Sequence, residues 1–283
     1  MSKIALITDS ASDISILDAE RYNIDVIPFK FTIDGESFLG TELVDEALYE
    51  KMEAAEGIPT TSQITMFDFS QLFEKYAADG YTDLIVTLIN SEGSATYNNA
   101  VFAAEKFKEN NSDINIYCID SKGYTGMYGY AVIEGAKMRN NGENADKIVE
   151  FIKGWLDKTA VYFGLYTLKF ARKSGRIPSA AAFVGDALGL KPIMRICDHK
   201  IVTHDKTRGD KNVIPAIIKH TMATADTNAD YCVVYGSDIE LRDEIIEKAA
   251  EAFGKEPAYS FRIGAAIAAN AGPKVVGLIV SEK

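Results

Sequence analysis

Hydroxyl and amide side chains are concentrated in one short stretch of the chain, Pro59-Thr60-Thr61-Ser62-Gln63. Pro59 fixes its own φ and favours an extended backbone at Ile58, so the hydroxyls that follow are presented from a stiffened segment. Hydroxyls in such a place either satisfy free N–H groups at a helix start or hydrogen-bond an anionic ligand. A helix is predicted to begin near Phe67, and Ser62 is a candidate to cap it.

Polar residues also follow several predicted strands. Asp9-Ser10, Ser91 with Ser94, and Asp120-Ser121 each come directly after an apolar run. Open α/β sheets bind ligands at the carboxyl ends of their strands, so these residues are expected to converge with Thr61 at one sheet edge. Hydroxyls together with helix N-terminal amides favour an anionic head group such as a carboxylate.

A nucleophilic enzyme, a hydrolase or transferase using Ser94 or Thr61, is the alternative interpretation. Such an enzyme needs a base within reach of the nucleophile. The three histidines, His199, His204 and His220, all lie in the second half of the chain, two of them around a predicted hairpin turn that is expected to face solvent. No Gly-x-Ser-x-Gly segment precedes a helix, so the enzyme interpretation has little support.

Other catalytic and cofactor signals are equally sparse. Asp9 and Asp120 could act as paired carboxylates, but each also suits a structural role as a cap. Gly123, Gly126 and Gly129 lack the order of a dinucleotide fingerprint and are expected to loosen the entry to the next helix. No phosphate loop occurs. The Asp198-His199 and His204-Asp205 pairs could in principle bind a metal, but turn residues of this type are commonly just exposed, so no catalytic residue, metal or cofactor is predicted.

Composition indicates a folded protein with no nucleic-acid partner. The 283 residues are 47% hydrophobic and 25% charged, with a net charge of −11 that disfavours phosphate backbones and anionic membranes. No apolar run approaches the ~18 residues that span a bilayer, so no stable membrane insertion is expected. Met1-Ser2-Lys3 runs directly into a strand-like segment without a signal region, which predicts a cytoplasmic location.

Hydrophobic periodicity predicts two halves of different style. The first half alternates strands and helices, with strands at 3–9, 25–33, 83–89 and 114–119 and helices at 44–55, 67–78, 97–108 and 145–156. In the second half, strands at 161–169, 191–197, 201–204 and 231–235 and a final strand pair at 261–269 and 275–280 accompany helices at 176–188, 213–225 and 240–252.

This pattern predicts an α/β protein of two domains, since the length exceeds a usual single core. Residues 1–157 are expected to form an N-terminal α/β/α domain with a mainly parallel sheet. Residues 158–283 are expected to form a C-terminal α+β domain with a mainly antiparallel sheet, and a ligand is expected between the two.

The polar motifs together carry a resemblance to a known family. In chain order they are Ile7-Thr8-Asp9-Ser10-Ala11-Ser12-Asp13, Pro59-Thr60-Thr61-Ser62-Gln63, Ser94-Ala95-Thr96-Tyr97, Asp120-Ser121, Gly175-Arg176-Ile177, Lys191-Pro192-Ile193, Arg208-Gly209 and Ala271-Gly272-Pro273. This set resembles the DegV family. The resemblance implies a non-catalytic, bacterial carrier that holds a long-chain fatty acid between its domains and presents the carboxyl group to a separate fatty acid kinase.

The resemblance also implies roles for individual residues. Thr61 and Ser94 would hydrogen-bond the carboxylate, with Thr60, Ser62 and Ser91 as neighbours. Arg176 would help to position the head group, and Arg208 would lie on the face that docks the kinase. Position 270 departs from the family pattern, because Asn270 stands where a histidine is usual; its amide can still donate a hydrogen bond but cannot carry a charge.

An apolar tunnel would need a supply of large hydrophobic side chains. The sequence offers candidates in both halves, namely Phe29, Phe31, Phe163, Leu165, Leu188, Leu190, Ile193 and Ile267. Each could equally be an ordinary core residue.

Overall fold

The computed structural model describes residues 3–111, 113–177 and 189–283. The strands within these ranges are β1 (Ile4–Asp9), β2 (Ile24–Ile27), β3 (Lys30–Ile33), β4 (Glu36–Leu39), β5 (Thr60–Ser62), β6 (Asp83–Leu88), β7 (Asn115–Asp120), β8 (Thr159–Leu165), β9 (Leu190–Cys197), β10 (Lys200–Arg208), β11 (Tyr231–Tyr235), β12 (Tyr259–Arg262) and β13 (Val275–Ser281).

The helices of the described residues are α1 (Ile16–Tyr22), α2 (Asp45–Ala54), α3 (Met66–Ala78), α4 (Thr96–Lys108), α5 (Gly126–Asn140), α6 (Ala145–Leu156), α7 (Lys169–Ser174), α8 (Val213–Thr224), α9 (Ile239–Phe253) and α10 (Ala265–Ala271). Short 3-10 turns occupy Ser10–Ser12 and Asp210–Asn212.

A four-stranded parallel sheet forms the centre of the first half, in the order β2-β1-β6-β7. The residues of β1 and β6 are buried throughout, as expected of apolar strands that are covered on both faces. Polar residues come at the carboxyl ends of these strands, and the parallel arrangement therefore brings the loops after β1, β6 and β7 to one edge.

A six-stranded sheet forms the centre of the second half, in the order β10-β9-β8-β13-β11-β12. All its pairings are antiparallel except β11 with β12. Alternation along the strands gives two apolar faces. Val161 and Phe163 join the buried cluster that includes the first half, whereas Tyr162 and Ile193 join a second cluster shared with α8 and α9. The predicted α/β class, with a mainly parallel and a mainly antiparallel sheet, is confirmed.

The third sheet is small and carries the hydroxyl stretch. Its order is β4-β3-β5, and β3 and β4 are joined by a turn in which Asp34 and Gly35 have φ of 48° and 83°. Positive φ at both central residues is the backbone of a two-residue hairpin loop. Thr60 to Ser62 is a strand, and the helix after it is capped by Thr65, whose side chain forms a capping box with Asp68. The prediction that Ser62 caps this helix is wrong.

Three other sequence predictions fail. The single strand predicted at 25–33 is two strands in different sheets, because Pro28 has no N–H for a sheet ladder. The strand predicted at 261–269 ends at Arg262, and helix α10 follows it. The predicted pairing of this segment with β13 is also wrong, since β12 pairs with β11.

Several elements match their predictions closely. Helix α6 and strand β11 have the predicted bounds, and the hairpin between β9 and β10 turns at Asp198 and His199, with φ of 43° and 68°. The strand predicted at 161–169 is β8, which begins two residues earlier and ends at Leu165, before α7 begins at Lys169. The helical region predicted at 176–188 lies outside the described residues beyond Ile177.

The three spaced glycines do not loosen the entry to α5. A Cβ on Gly129 would lie 2.3 Å from the carbonyl oxygen of Ser12, and one on Gly126 would lie 2.2 Å from the ring of Phe261. Glycine therefore lets α5 pack directly against the 3-10 turn and β12. The expectation of a loosened helix start is wrong, since the spacing serves close packing.

The division at residue 157 stays a prediction. The parallel-sheet strands all precede that position and the six-stranded-sheet strands all follow it. One buried apolar cluster nevertheless continues from Leu6 in the first half to Phe163 in the second. Among the residues the structure describes, no helix combines the length and apolarity needed to cross a membrane.

Candidate functional site

A cavity of about 360 Å³ lies between the two halves of the molecule. Its polar part comes from β5, from the loop after β6 and from α10, which contribute Thr61, Ser91, Ser94 and Asn270. Its apolar part comes from the inner face of the six-stranded sheet and from neighbouring segments, including Phe29, Val161, Phe163, Ile196, Val234 and Val275. The cavity thus combines a hydroxyl cluster with an apolar wall.

Five of the site residues predicted from the sequence line this cavity together. They are Thr61, Ser91, Ser94, Arg176 and Asn270.

The structure places Thr60 and Ser62 outside the lining. Successive side chains of a strand point to opposite sides, and Thr61 is half-buried while both its neighbours are exposed. Thr60 and Ser62 are neighbours of Thr61 in the sequence, but the strand geometry does not direct their side chains into the cavity. Their predicted role beside the carboxylate stays a prediction.

Strand pairing holds Thr61 at the cavity. Thr61 lies opposite Phe31 in the antiparallel pair of β5 with β3. The segment after β5 is tied to the start of α4, because the backbone N–H of Ile64 donates to Thr96 Oγ1 at 3.3 Å and the side chain of Asn99 donates to the carbonyl of Ile64 at 2.7 Å. These bonds bring Thr61 close to the loop that carries Ser94.

The loop after β6 positions both serines. The carbonyl of Asn90 accepts the backbone N–H groups of Gly93 and Ser94 at 3.0 and 3.1 Å. Asp120 Oδ1 accepts the backbone N–H of Ser91 at 3.1 Å, so the end of β7 fixes the end of β6. Ser94 Oγ lies 2.9 Å from Thr96 Oγ1 and 3.3 Å from the backbone nitrogen of Thr96. Ser94 therefore supports the start of α4 while it faces the cavity.

Asn270 and Arg176 complete the polar part. The Asn270 amide donates one N–H to the carbonyl of Ala266, one turn earlier in α10, at 2.8 Å. An amide has two N–H groups, so one remains for a ligand. Arg176 is exposed and donates to the carbonyl of Ser174 at 2.7 Å. Burial raises the pKa of the nearby Tyr124 phenol, while its bond from Asn90 and the charge of Arg176 act to lower it.

Arg208 lies away from the cavity. It is exposed at the last position of β10, and Ile201, which lines the cavity, is near the first. Seven residues of extended strand separate the two by roughly 24 Å. Its predicted role in docking a partner is therefore a proposal about a surface that is separate from the cavity lining. Lys274 is paired with Asp238 at 2.9 Å.

The apolar candidates divide according to sheet face. Phe29, Phe163 and Ile267 line the cavity. Ile193 does not, because it points to the outer face of the six-stranded sheet. Phe31, Leu165 and Leu190 are also absent from the lining, and Leu188 lies outside the described residues.

Two buried carboxylates lie behind the site. Asp9 accepts hydrogen bonds from the backbone of Ala11 and Ile89 and from the Tyr128 hydroxyl at 3.0, 2.8 and 2.6 Å. Burial raises the pKa of Asp9 to about 6 and that of Asp13 to about 7. Asp13 accepts the backbone N–H of Gly264 at 2.8 Å and so joins the two halves. Both side chains hold loops in place and neither lines the cavity.

His199 packs against the first half and does not face solvent. Its side chain is 22% exposed, and its Nδ1 lies 2.8 Å from Asn90 Oδ1 and 3.8 Å from Asp120 Oδ2. The expectation of a solvent-facing hairpin histidine is therefore wrong at this position. No histidine is hydrogen-bonded to Ser91, Ser94 or Thr61 in the part of the chain that the structure describes. In the same residues, no group of three or more acidic, histidine or cysteine side chains could hold a metal ion.

Sequence comparison assigns the chain to a family. The family described as "Uncharacterised protein, DegV family" matches residues 3–283. A DegV domain-containing protein of Staphylococcus aureus is 31% identical over 282 residues, which cover 98% of this chain and 96% of that protein. A DegV domain-containing protein of Clostridium acetobutylicum is 29% identical over 286 residues, and the match covers both proteins in full. The chain belongs to the DegV family.

Solved structures of other proteins share the fold. A stearic acid-binding protein from Eubacterium ventriosum superposes with a TM-score of 0.89 at 23% identity, over 100% of this chain and 99% of that one. The fatty acid-binding DegV protein of Bacillus subtilis superposes with a TM-score of 0.85 at 25% identity, over both chains in full.

Several polar residues of the DegV cavity have no counterpart among the sequence-predicted site residues. Gln63, Glu92, Asn98 and Tyr124 all line it. A signal existed for Glu92, which stands between the two predicted serines, and for Gln63, which ends the hydroxyl stretch. Asn98 and Tyr124 had no such signal, because their approach depends on how α4 and the start of α5 pack.

Proposed function

We propose that this DegV protein is a carrier that binds a long-chain fatty acid in the 360 Å³ cavity, with the carboxylate at Thr61, Ser91 and Ser94. The observation that carries the proposal is the joining of a hydroxyl cluster to an apolar wall in one cavity. Solved structures that are described as fatty acid-binding proteins have the same fold, which supports this choice of ligand.

The two parts of the cavity would contribute differently to binding. Burying about fourteen methylenes at ~0.8 kcal/mol each offers on the order of 11 kcal/mol before the costs of association. A hydrogen bond from a hydroxyl to a carboxylate contributes only ~1.5–3 kcal/mol. The tail would therefore determine affinity, and Thr61, Ser94 and Asn270 would determine which end of the ligand lies at the polar part.

We further propose that the bound carboxyl group is presented to a separate cytoplasmic fatty acid kinase, with Arg208 on the docking face and Arg176 near the head group. The exposed position of Arg208 supports a docking role, and the exposed position of Arg176 supports access to the carboxyl group from outside. The carrier itself is proposed to be non-catalytic. The hydrogen bonds of Ser94 support this, because they run to Thr96 and not to a base.

Organic extraction of protein purified from a bacterial host, followed by mass spectrometry, tests the binding. A long-chain fatty acid should be released in about one equivalent. Protein that contains no lipid and also fails to take up added oleate would refute the proposal. A screen of ester and phosphoester substrates tests the absence of catalysis, since turnover abolished by Ser94→Ala would establish an enzyme.

A further inference from the structure

The apolar wall of the cavity runs across the six-stranded sheet. Its lining residues lie on five neighbouring strands and are Ile201 of β10, Ile196 of β9, Val161 and Phe163 of β8, Val275 of β13 and Val234 of β11. The spacings between these strands, at about 4.8 Å each, give the wall a length of roughly 19 Å. Strand β12, all of whose residues the structure describes, contributes no lining residue. The wall therefore ends between β11 and β12.

The polar part of the cavity lies at the β10 end of this wall. The Asn90 side chain donates to the carbonyl of His199 at 2.8 Å. This bond holds the turn between β9 and β10 beside the loop that carries Ser91 and Ser94. Ile201, the lining residue of β10, follows the turn directly. The head-group end of the cavity is thus marked by the first strand of the wall.

Helix α10 connects the two ends of the cavity. Asn270, at the polar part, is near its last residue, whereas Ile263, which also lines the cavity, precedes its first. The backbone N–H of Ile263 donates to the carbonyl of Tyr235, at the end of β11, at 2.8 Å. A lipid whose head group lies beside Asn270 would therefore point its tail towards β11 and β12.

Phe261 of β12 lies on the inner face of the sheet where the lining stops. In the sheet register, Phe163 lies opposite Gly277 and Gly277 opposite Val234. Val234 in turn lies opposite Phe261. Phe163 and Val234 line the cavity, and Gly277 has no side chain to interrupt the row between them. Phe261 is consequently the first side chain of this row beyond the cavity.

The Phe261 ring is packed tightly against the start of α5. It is 3% exposed, and a Cβ on Gly126 would lie 2.2 Å from it. On Gly129 the same atom would lie 3.1 Å from the ring. Tyr259 stacks against Phe261, with 5.8 Å between the ring centroids. Thr125, which precedes Gly126, lines the cavity. The ring thus fills the space between β12 and α5 at the far end of the cavity.

We propose that the Phe261 ring closes the far end of the cavity and sets the longest acyl chain that the protein holds. This inference rests on the proposed binding of a fatty acid with its carboxylate at the polar part. Each methylene that enters the apolar part raises the affinity about four-fold. A methylene that would overlap the ring gains nothing and forces the tail or the core to shift, so the affinity should fall once the tail reaches Phe261.

The experiment measures the binding of saturated fatty acids from laurate to behenate by displacement of a fluorescent fatty acid. For the wild type, the affinity should rise along this series and then fall beyond one chain length. In Phe261→Ala, this limit should move to an acid at least about two carbons longer. The first acid beyond the wild-type limit should bind roughly ten-fold more tightly, relative to the acid that the wild type prefers. Ratios within one variant are compared because they cancel a general loss of affinity.

Val234→Phe tests the same boundary from inside the cavity. The larger side chain would fill space beside Gly277, so the limit should move to an acid about two carbons shorter. This variant adds volume and tests the inference even if loss of the Phe261 ring prevents folding. Phe253→Ala is the matched control, because its buried ring stacks on Tyr231 at 4.2 Å in the outer apolar cluster shared with α8 and α9. It should leave the limit unchanged.

Three outcomes would overturn the inference. They are the wild-type limit in a Phe261→Ala protein that circular dichroism shows to be folded, an unchanged limit in Val234→Phe, and a wild-type affinity that rises through the whole series. Each of these, found in a protein that binds fatty acids, would contradict only the role of Phe261. Wild-type protein that binds no acid of the series would contradict the proposed function itself.

Discussion

Thr61 and Ser94 reach the same cavity by different means. Thr61 is placed by the two-residue period of a short strand, so its orientation follows from the pairing of β5 with β3. Ser94 is placed by a loop that is held by the Asn90 carbonyl and lies beside the start of α4. A hydroxyl on a paired strand and a hydroxyl at a helix start are both restrained before a ligand arrives, which lowers the entropic cost of binding.

The proposed carboxylate contacts predict a selective loss. In the double variant Thr61→Val with Ser94→Ala, the affinity for palmitate should fall roughly 10- to 100-fold, because hydrogen bonds to a charged group are lost. Hexadecanol should be affected much less, since it carries no charge. Isothermal titration with both ligands measures the difference. The matched control is Thr60→Val with Ser62→Ala, on the other side of β5, and an equal loss of palmitate affinity there would contradict the assignment of the cavity.

Asp13 predicts a pH dependence of stability. Burial raises its pKa from 3.8 to about 7, so the folded state binds more protons than the unfolded state between these values. The stabilising contribution is fully present below about pH 4 and is lost as the pH rises through 7. Asp13→Asn has no carboxyl group to titrate at this position. Its free energy of unfolding should therefore rise relative to that of the wild type between about pH 4 and 7, by up to about 1.4 kcal/mol per pH unit. Urea unfolding at pH 5 and 7.5 measures it, and a constant difference would count against the buried charge.

The sequence was informative about polar residues and less so about their orientation. Thr61, Ser91 and Ser94 could be grouped because strand ends converge in a parallel sheet. The separation of Thr61 from Thr60 and Ser62 could not be predicted, since three hydroxyls in a row have no alternation of polarity to mark the buried side. The role of Asp13 in joining the two halves could not be predicted from the sequence, because its partner Gly264 is 251 residues away.

Among the elements, α5 shows how glycine sets the distance between packed segments. Gly129→Ala should destabilise the protein by about 1–3 kcal/mol, because the added Cβ would lie 2.3 Å from the carbonyl oxygen of Ser12. Gly154→Ala in α6 is the control, since nothing lies within 4 Å of its Cβ position. That variant should be more stable by ~0.5–1 kcal/mol through helix propensity alone. Thermal unfolding ranks the two, and equal effects would contradict the packing argument.

Most elements could be predicted because their hydrophobic period is strong, as in α6 and in the buried strands β1 and β6. The wrong predictions lie where the hydrophobic period of the sequence and the tertiary packing favour different structures. Residues 265–271 are five alanines with one isoleucine and one asparagine. Alanine favours a helix, but the apolar run continues from the strand before it, and the hydrophobic pattern therefore predicts a longer strand. Strands β2 and β3 are adjacent in sequence and yet belong to different sheets, a separation that tertiary packing imposes.

At the scale of the whole molecule, the two halves share a core. We propose that residues 1–157 and 158–283 are two domains that unfold together, because one buried cluster joins them. Trp155, the single tryptophan, lies in the first half and donates to the carbonyl of Met127 at 2.8 Å. Its fluorescence and the far-UV circular dichroism should therefore show the same urea midpoint. Palmitate at a hundred times its Kd should add ~2.7 kcal/mol to both transitions. Separate midpoints would show independent domains.

The position of the cavity between two sheets has a mechanical consequence. Unfolding under hydrostatic pressure is favoured in proportion to the internal void that is eliminated, so a protein with a large cavity between its two halves is compressible there. A lipid that fills this space replaces the void with packed methylenes. The ligand-free carrier would then unfold at lower pressure than the loaded one, because the bound lipid would form part of the packed interior that resists compression.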